Sequence, residues 1–419
     1  MISKSKVPQI RFKGFSGEWI EKNLDEILEV LDGDRGHNYP KENHLKKEGH
    51  TLFLSASNVT SSGFKFNDKK YITKTKSDDM GNGKIEIDDI ILTSRGSLGH
   101  IAWYNQEIQQ KIPFARINSG MLLLRTKNLI KPSFVSHFLK SPLGKKKIDL
   151  ISFGSAQPQL TKKDVSKYKL NFSQNQDEQT KIGNYFQQLD KLIEQKEKKY
   201  QKLKQFKKAM LDKMFPKNGA DTPEIRFKGF SGKWEEKKLD EISSAIFDGT
   251  HETPTYTDSG IPFFSVENLI SKSKNKYISN KDHIEATKKN KPEKNDILIT
   301  RIGNIGFSKV VTWDYDFSIY VTLAVVKQSK IFDSLYLNYY IQSAKYQAEI
   351  VSKSLLSAVP CKINMNELRN TNIILPKSLL EQEKIGNYFQ KLDKQIDLQL
   401  QELKKLKNIK KASLSKMFV

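Results

Sequence analysis

The sequence repeats itself, and this repeat limits the folds open to the chain more than any other feature. Residues 8–27, PQIRFKGFSGEWIEKNLDEI, return as PEIRFKGFSGKWEEKKLDEI at residues 223–242, with four differences in twenty positions. A second pair, EQTKIGNYFQQLDK from Glu178 and EQEKIGNYFQKLDK from Glu381, follows later in each half. Repeats of this length mark repeated structural units. The sequence therefore predicts two copies of one fold, related by an internal pseudo-twofold axis.

The second repeated pair predicts two long helices. Apolar residues recur at steps of three and four, from Ile182 through Phe186 to Met214 and again from Ile385 through Phe389 to Met417. A spacing near 3.5 residues is typical of a coiled-coil seam, although two separate surface helices would show a similar pattern. We expect the two helices to pair antiparallel, because that arrangement explains a length of about 60 Å.

The stretches between the repeated segments predict mixed α/β domains. Residues 84–94, 121–126, 294–303 and 322–327 are β-rich runs. Residues 131–148 and 334–351 have helical spacing. Proline and Asn-Gly within residues 215–225 mark the boundary between the halves. The predicted fold is therefore two α/β domains separated by two long antiparallel coiled-coil helices.

The composition favours a polyanionic partner. The chain has 71 Lys and Arg against 48 Asp and Glu, a formal net charge of +23. Such an excess points to nucleic acid, whereas a solvated lysine surface without a specific ligand is the plainer alternative. One cysteine, Cys361, leaves no internal disulfide. Without an apolar run of membrane-spanning length or a signal-peptide pattern, we expect a cytoplasmic protein with no membrane contact.

The motifs of common catalytic centres are missing from the sequence. It lacks a phosphate-binding P-loop, a GxGxxG fingerprint, HExxH, GxSxG, and the Asn-Pro-Pro or Asp-Pro-Pro motif of amino-methyltransferases. The seven histidines are scattered, and only His44 and His50 are near neighbours. We therefore predict a protein that binds and does not catalyse, with no metal or cofactor of its own.

Loops at matched places in the two halves supply the candidate contacts to DNA. The loops in residues 89–99 and 296–306 offer backbone amides for a phosphate and an arginine for a phosphate or guanine; an ordinary hairpin turn is the alternative. Residues 32–44 and 248–260 carry different polar side chains at matched positions, as expected of two loops that recognise different DNA sequences. Asn58 and Asn268 could pair with adenine or cap a turn. Residues 154–164 match residues 356–367, with loop structure alone as the alternative role. The candidates are Arg35, His37, Tyr39, Asn58, Ser94, Arg95, Gln157, Gln159, Lys162, Lys163, His251, Thr253, Tyr256, Asn268, Arg301 and Asn304.

Two RFKGFSGxW segments, two EQxKIGNYFxxLD helices and two unlike domains between them resemble the specificity subunit of a Type I restriction-modification system. The resemblance covers essentially the whole chain. It implies target-recognition domains at residues 1–175 and 216–378, and conserved helices at residues 176–215 and 379–419. It also implies that each domain reads one half of a gapped, asymmetric site in double-stranded DNA, with the helices setting the gap.

The resemblance further implies partners that carry the chemistry. These are two copies of an adenine methyltransferase subunit and, in the full complex, restriction subunits that translocate and cut DNA. S-adenosylmethionine, ATP and Mg are expected on those partners and none of them on this chain. A stand-alone nucleic-acid-binding scaffold without enzymatic partners is the alternative function. Each RFKGF segment is expected to seat its domain against the far end of the other half's helix.

Overall fold

The protein divides into two compact units in a computed structural model that describes residues 6–152, 159–217, 219–271 and 276–419. Unit 1 comprises Met1–Glu197 and Glu402–Val419, and unit 2 comprises Lys198–Gln401. Both long helices therefore contribute one part of their length to each unit. The sequence-based division at residues 175, 215 and 378 stays a prediction.

Unit 1 is a mixed α/β structure. Its strands are β1 (Ile20–Asn23), β2 (Leu28–Asp32), β3 (Thr51–Leu54), β4 (Val59–Thr60), β5 (Gly63–Phe64), β6 (Tyr71–Ile72), β7 (Ile90–Thr93), β8 (Ile101–Trp103), β9 (Ala115–Ile117), β10 (Met121–Thr126) and β11 (Lys169–Phe172). Its helices are α1 (Leu24–Ile27), α2 (Lys74–Asp79), α3 (Gln106–Lys111), α4 (Pro132–Lys140), α5 (Pro142–Ser152), α6 (Lys162–Ser166) and the first part of α7 (Gln176–Lys213).

Unit 2 repeats this architecture. Its strands are β12 (Glu235–Lys238), β13 (Ile246–Asp248), β14 (Tyr256–Thr257), β15 (Ile261–Phe264), β16 (Lys276–Ile278), β17 (Ile297–Thr300), β18 (Ser308–Val310), β19 (Ser318–Ile319), β20 (Leu323–Val326) and β21 (Asn372–Leu375). Its helices are α8 (Leu239–Ile242), α9 (Val266–Ser271), α10 (Asn280–Thr287), α11 (Ser334–Ile341), α12 (Ala344–Ser352), α13 (Met365–Arg369) and the first part of α14 (Leu379–Lys416).

The two units share the order of a four-stranded sheet and the core of a second sheet, to which unit 2 adds β14, while unit 1 has a separate β4-β5 pair. The four-stranded sheet has the order β2-β10-β7-β8 in unit 1 and β13-β20-β17-β18 in unit 2. In the second sheet, β3 pairs antiparallel with β6 and parallel with β9, as β15 does with β16 and β19. A two-stranded pair, β1-β11 or β12-β21, joins the two ends of each variable stretch. The predicted duplication, the β-rich runs and the helical segments are all confirmed.

Several of the repeated EQxKIGNYF letters have a physical reason. The buried side chains of Gln179 and Gln382 each accept a hydrogen bond from the backbone at the entrance of α4 or α11, Lys131 N at 2.8 Å and Asp333 N at 2.9 Å. At Gly183, a Cβ atom would lie 2.1 Å from Ser133 Oγ, so the close approach of α7 to α4 requires glycine. Phe186 and Phe389 are fully buried in the two cores.

The long helices pair antiparallel within each unit, as predicted. In unit 1, the Tyr185 hydroxyl lies 3.0 Å from Ser413 Oγ, and farther along α7 Asp190 pairs with Lys410, which comes earlier in α14. In unit 2, Lys207 Nζ lies 2.7 Å from Asp393 Oδ1. Burial alone would raise the pKa of Asp190, but His137 and Lys410 hold it at about 2. Lys410 thus neutralises the Asp190 carboxylate at the place where α4 packs against the two long helices.

Each RFKGF segment ties the start of one long helix to the end of the other. Arg11 donates two hydrogen bonds to the buried Glu178 carboxylate near the start of α7, with N–O distances of 2.6 and 2.7 Å. The neighbouring Ile10 N donates to Lys416 O at the end of α14 at 3.0 Å. In unit 2, Arg226 binds Glu381 and Ile225 N donates to Lys213 O. The predicted seating against the far end of the other half's helix is confirmed.

Candidate nucleic-acid interface

Four loop segments meet at one end of the unit 1 sheet. The loop after β2 reaches the turn before β10, where Arg35 Nη2 donates to Ser119 O at 3.3 Å. The loop after β7 joins the same turn, because Ser94 N donates to Gly120 O at 2.8 Å. The segment before α6 joins through Leu160 N, which donates to Ser94 O at 3.0 Å. Residues far apart in sequence thus form one loop cluster.

The same four segments meet in unit 2. Arg301 N donates to Thr322 O at 2.9 Å, and Ile363 N donates to Arg301 O at 2.9 Å. Thr250 N donates to Ile319 O at 3.1 Å and brings the loop after β13 to the same turn. The loop clusters of the two units are therefore equivalent. In this equivalence Arg301 occupies the place of Ser94.

A glycine allows the first loop of each cluster to approach the turn. A Cβ atom at Gly33 would lie 2.3 Å from Asn118 O, and one at Gly249 would lie 2.1 Å from Ile319 O. Real Cβ atoms do not approach carbonyl oxygens this closely, so a side chain at either position would push the loop away. The shared Asp-Gly at the start of both loops therefore has a packing reason.

Different polar groups hold the two clusters in shape. In unit 1, the Asp34 carboxylate accepts from Gly36 N at 2.7 Å and from Gly81 N at 2.9 Å, and these amides lower the pKa of that carboxyl. The buried Arg116 guanidinium donates to carbonyl oxygens of the same 77–82 segment, including Ser77 O at 2.6 Å. Unit 2 has Ser318 in the strand position of Arg116, paired there with Phe263 instead of Phe53.

In unit 2 the organising group is Arg301. Arg301 is 7% exposed, and its guanidinium donates to Asp248 Oδ2 and Val321 O, both at 3.0 Å. Its Nε donates to Ile363 O at 3.3 Å. Burial lowers the pKa of Arg301 while Asp248 opposes the shift. That Arg301 contacts DNA stays a prediction; within unit 2 its guanidinium ties three segments of the loop cluster together.

Replacing Arg301 with methionine should lower the free energy of unfolding of unit 2 by about 1–3 kcal/mol, because Asp248 and two backbone carbonyls lose their donor. Urea unfolding would measure the loss, and faster hydrogen exchange in residues 249–253 would show that the loop is released. Arg95→Met is the matched control, since Arg95 is exposed and should change stability by less than about 0.5 kcal/mol. Unchanged exchange in Arg301→Met would contradict the assignment.

The structure exposes most of the remaining candidate side chains. The exposed ones are Arg35, His37, Arg95, Gln159, Lys162, Lys163, His251, Thr253, Tyr256 and Asn304. Tyr39 is half-buried and packs edge-on against Phe53, with ring centroids 5.5 Å apart. Ser94 is buried, and Gln157 lies outside the described residues. Their proposed contacts with DNA stay predictions.

Asn58 and Asn268 both cap turns. Asn58 is buried; its Oδ1 accepts from Ser55 N at 2.9 Å and its Nδ2 donates to Asp68 O at 2.6 Å. Asn268 Oδ1 accepts from Ser265 N at 3.0 Å. Of the two roles left open by the sequence, the structure thus displays the capping one.

Two tyrosines of unit 2 give its cluster an aromatic surface. The Tyr256 ring is 41% exposed, and Lys276 Nζ lies 4.6 Å from its centroid. The Tyr320 hydroxyl lies 3.3 Å from Thr253 Oγ1. Sequence reasoning missed Tyr320, Asp34 and Arg116. Arg116 and Tyr320 lie at positions where the two halves have different residues, so a comparison of the repeats could not identify them.

Exposed cations, amides and aromatic rings lie on loops of a duplicated α/β frame, and these loops carry different side chains in the two units. A family model, the Type I restriction modification DNA specificity domain, matches residues 16–205 and 231–408. The chain therefore belongs to this family of DNA specificity domains, and DNA recognition follows from that membership.

Two solved structures share the fold. The chain is similar to the S subunit of a Type-I restriction-modification system from M. genitalium, with 15% identity, a TM-score of 0.64 and coverage of 99% of both chains. It is also similar to a chain from a structure concerning complex assembly and conformational transition of the type I R-M system, with 20% identity and a TM-score of 0.51. That match covers 94% of this chain and 96% of the other.

The described residues lack both a membrane-spanning helix and a metal-binding cluster. Across the part of the chain that the structure describes, no helix is long and apolar enough to span a bilayer. Among the same residues, no group of three or more His, Cys, Asp and Glu side chains is placed to hold a metal ion.

Proposed function

We propose that this chain is the non-catalytic specificity subunit of a Type I restriction-modification complex, and that each unit reads one half of a gapped, asymmetric site in double-stranded DNA. One observation carries the proposal. The sheets β2-β10-β7-β8 and β13-β20-β17-β18 have the same strand order, and the same loop segments meet at their ends, but those loops carry different side chains. Two units with the same fold but different loop side chains fit a DNA target whose two halves differ in sequence.

The chemistry of the two clusters supports DNA as the ligand. Unit 1 presents Arg35, Arg95 and Gln159, and arginine and glutamine are the side chains that bind guanine and adenine edges in the major groove. Lys162 and Lys163 at the start of α6 suit phosphates, which position a protein on the duplex without reading it. The net charge of +23 favours such contacts at low salt.

The repeated frame supports partners in two copies. Arg11 with Glu178 and Arg226 with Glu381 form the same structure twice, with closely matched distances. We infer that one methyltransferase subunit docks on each copy. Restriction subunits would join the same complex, and S-adenosylmethionine, ATP and Mg would belong to these partners. That the long helices set the gap between half-sites stays a prediction.

Exchanging one variable segment tests the proposal. Residues 28–168 of unit 1, between the β1-β11 pair, are replaced with the matching segment of another family member. Long-read sequencing then maps N6-methyladenine in a host that carries the partner methyltransferase. We expect one half of the gapped motif to change and the other half to persist. The matched exchange of residues 243–371 should change the other half.

One control and two contrary outcomes make the result decisive. A host without this gene should show no such motif. A change in both halves after a single exchange would contradict the two-reader proposal. If no gene-dependent motif appears while the methyltransferase is expressed, a stand-alone nucleic-acid-binding scaffold becomes the better account.

A further inference from the structure

A hairpin in unit 2 carries an exposed apolar tip. Leu355 N donates to Lys362 O at 2.7 Å, and Lys362 N donates back to Leu355 O at 3.3 Å, which closes the hairpin. At its tip, Leu356 is 61% exposed and Val359 is 99% exposed. Neighbouring apolar side chains held in water by an ordered hairpin are typical of a contact surface.

The hairpin is part of the unit 2 loop cluster. Gly303 N donates to Cys361 O at 2.8 Å, and Cys361 Sγ donates to Gly303 O at 2.9 Å. Ile302 and Lys362 form a further backbone bridge. Gly303 is next to the exposed Asn304, so the base of the hairpin borders the surface for which we propose DNA.

The tip position carries a different kind of side chain in each half of the sequence. Residues 357–360 read SAVP, and residues 155–158, which lie outside the described residues, read SAQP. In this alignment of the two halves, Val359 corresponds to Gln157. Glutamine can pair with adenine through hydrogen bonds, whereas valine has only methyl groups to offer.

The DNA group that matches such a side chain is the thymine methyl group. In the major groove, thymine alone among the four bases presents an apolar C5-methyl group, and apolar side chains read it by contact. We propose that Val359 contacts the C5-methyl group of one thymine in the half-site read by unit 2. The exposed Lys362 beside the tip suits the phosphates that flank such a contact. This inference rests on the proposed function.

Deoxyuridine, which is thymidine without that methyl group, tests the proposal. The target is first mapped by methylation sequencing, and the unit 2 half is assigned by segment exchange. Each thymine of that half, on either strand, is then replaced singly by deoxyuridine, and the dissociation constant is measured for the complex of this chain with its methyltransferase. At one position the wild type should bind about fourfold more weakly, the factor for roughly one buried methyl group at 0.8 kcal/mol.

Variants connect that sensitivity to Val359. Val359→Ala should bind the natural duplex about fourfold more weakly and should no longer distinguish thymine from deoxyuridine at the sensitive position. Val359→Gln should lose the same discrimination. Val351→Ala is the matched control, because Val351 is an exposed valine on α12, and it should keep the wild-type ratio. Thermal unfolding should be unchanged in all three variants.

Other outcomes overturn the assignment. Val359→Ala that keeps the wild-type ratio, or a half-site without any methyl-sensitive position, would refute the thymine contact while leaving the proposed function intact. Loss of methyltransferase binding with unchanged methyl discrimination would make the tip a protein contact. Absence of sequence-specific binding by the wild-type complex would instead refute the proposed function, and this inference with it.

Discussion

Replacing Arg11 with alanine should lower the free energy of unfolding of unit 1 by about 3–5 kcal/mol, because it leaves the Glu178 carboxylate buried without its charge partner. The Glu178 side chain is 0% exposed and receives both of its strong hydrogen bonds from Arg11. Urea unfolding followed by tryptophan fluorescence would measure the loss, since Trp19 lies in the same core. Arg226→Ala should have an equal effect on unit 2, where Glu381 is 1% exposed.

Two comparisons separate the buried charge from ordinary packing. Lys22→Ala removes a partner of Glu26 from an exposed pair and should leave the free energy of unfolding nearly unchanged, because exposed ion pairs contribute little. The double variant Arg11→Leu with Glu178→Leu removes both charges and should recover most of the loss. If the double variant were no more stable than Arg11→Ala, the buried charge would not be the cause.

Long, periodic and repeated segments were predictable from sequence. The α7 helix (Gln176–Lys213) lies within the predicted helix at residues 176–215, because a 3.5-residue period sustained over five heptads has few other solutions. The strands β7 and β17 were equally predictable. All four residues of each strand are buried, and both strands therefore appear in the sequence as short apolar runs. By contrast, the parallel pairing of β3 with β9 joins residues some sixty positions apart. Local patterns hold no information on such a register.

The candidate site was predictable only in part. The repeat located the loops after β2 and β13, but not the turns that they meet, since residues 118–120 and 320–322 share no letters. It also led to similar expectations for Arg95 and Arg301. When the two halves are aligned, Arg301 corresponds to Ser94, the residue before Arg95. Neighbouring residues of an extended segment point to opposite sides. Arg95 is therefore exposed while Arg301 is buried.

The ends of the long helices belong to the cores of the units. Phe418, the second-last residue, is 5% exposed and packs against Phe134, Phe138 and Phe186, with ring centroids 5.3–5.7 Å apart. Phe215 at the end of α7 is stacked on Phe389 in the equivalent way. Helix ends usually fray, so this burial makes the end of α14 an exception with a measurable consequence.

Phe418→Ala should lower the free energy of unfolding of unit 1 by about 3–5 kcal/mol, the usual loss for a buried phenylalanine. Its removal opens a cavity among three aromatic rings, and Trp19, whose ring lies 5.5 Å from that of Phe134, would report the change in fluorescence. Phe206→Ala is the matched control, because Phe206 on α7 is 46% exposed, and it should cost less than about 1 kcal/mol.

The Phe418→Ala variant also tests whether the helix end closes unit 1. If it does, hydrogen exchange should quicken across residues 402–419 and also in α4, which supplies Phe134 and Phe138. Exchange that rises only in the last few residues, with stability unchanged, would mean that the segment is an attached tail. The first result would explain why the KMF letters stand at the end of both helices: each closes the hydrophobic core of a unit that also contains an RFKGF segment.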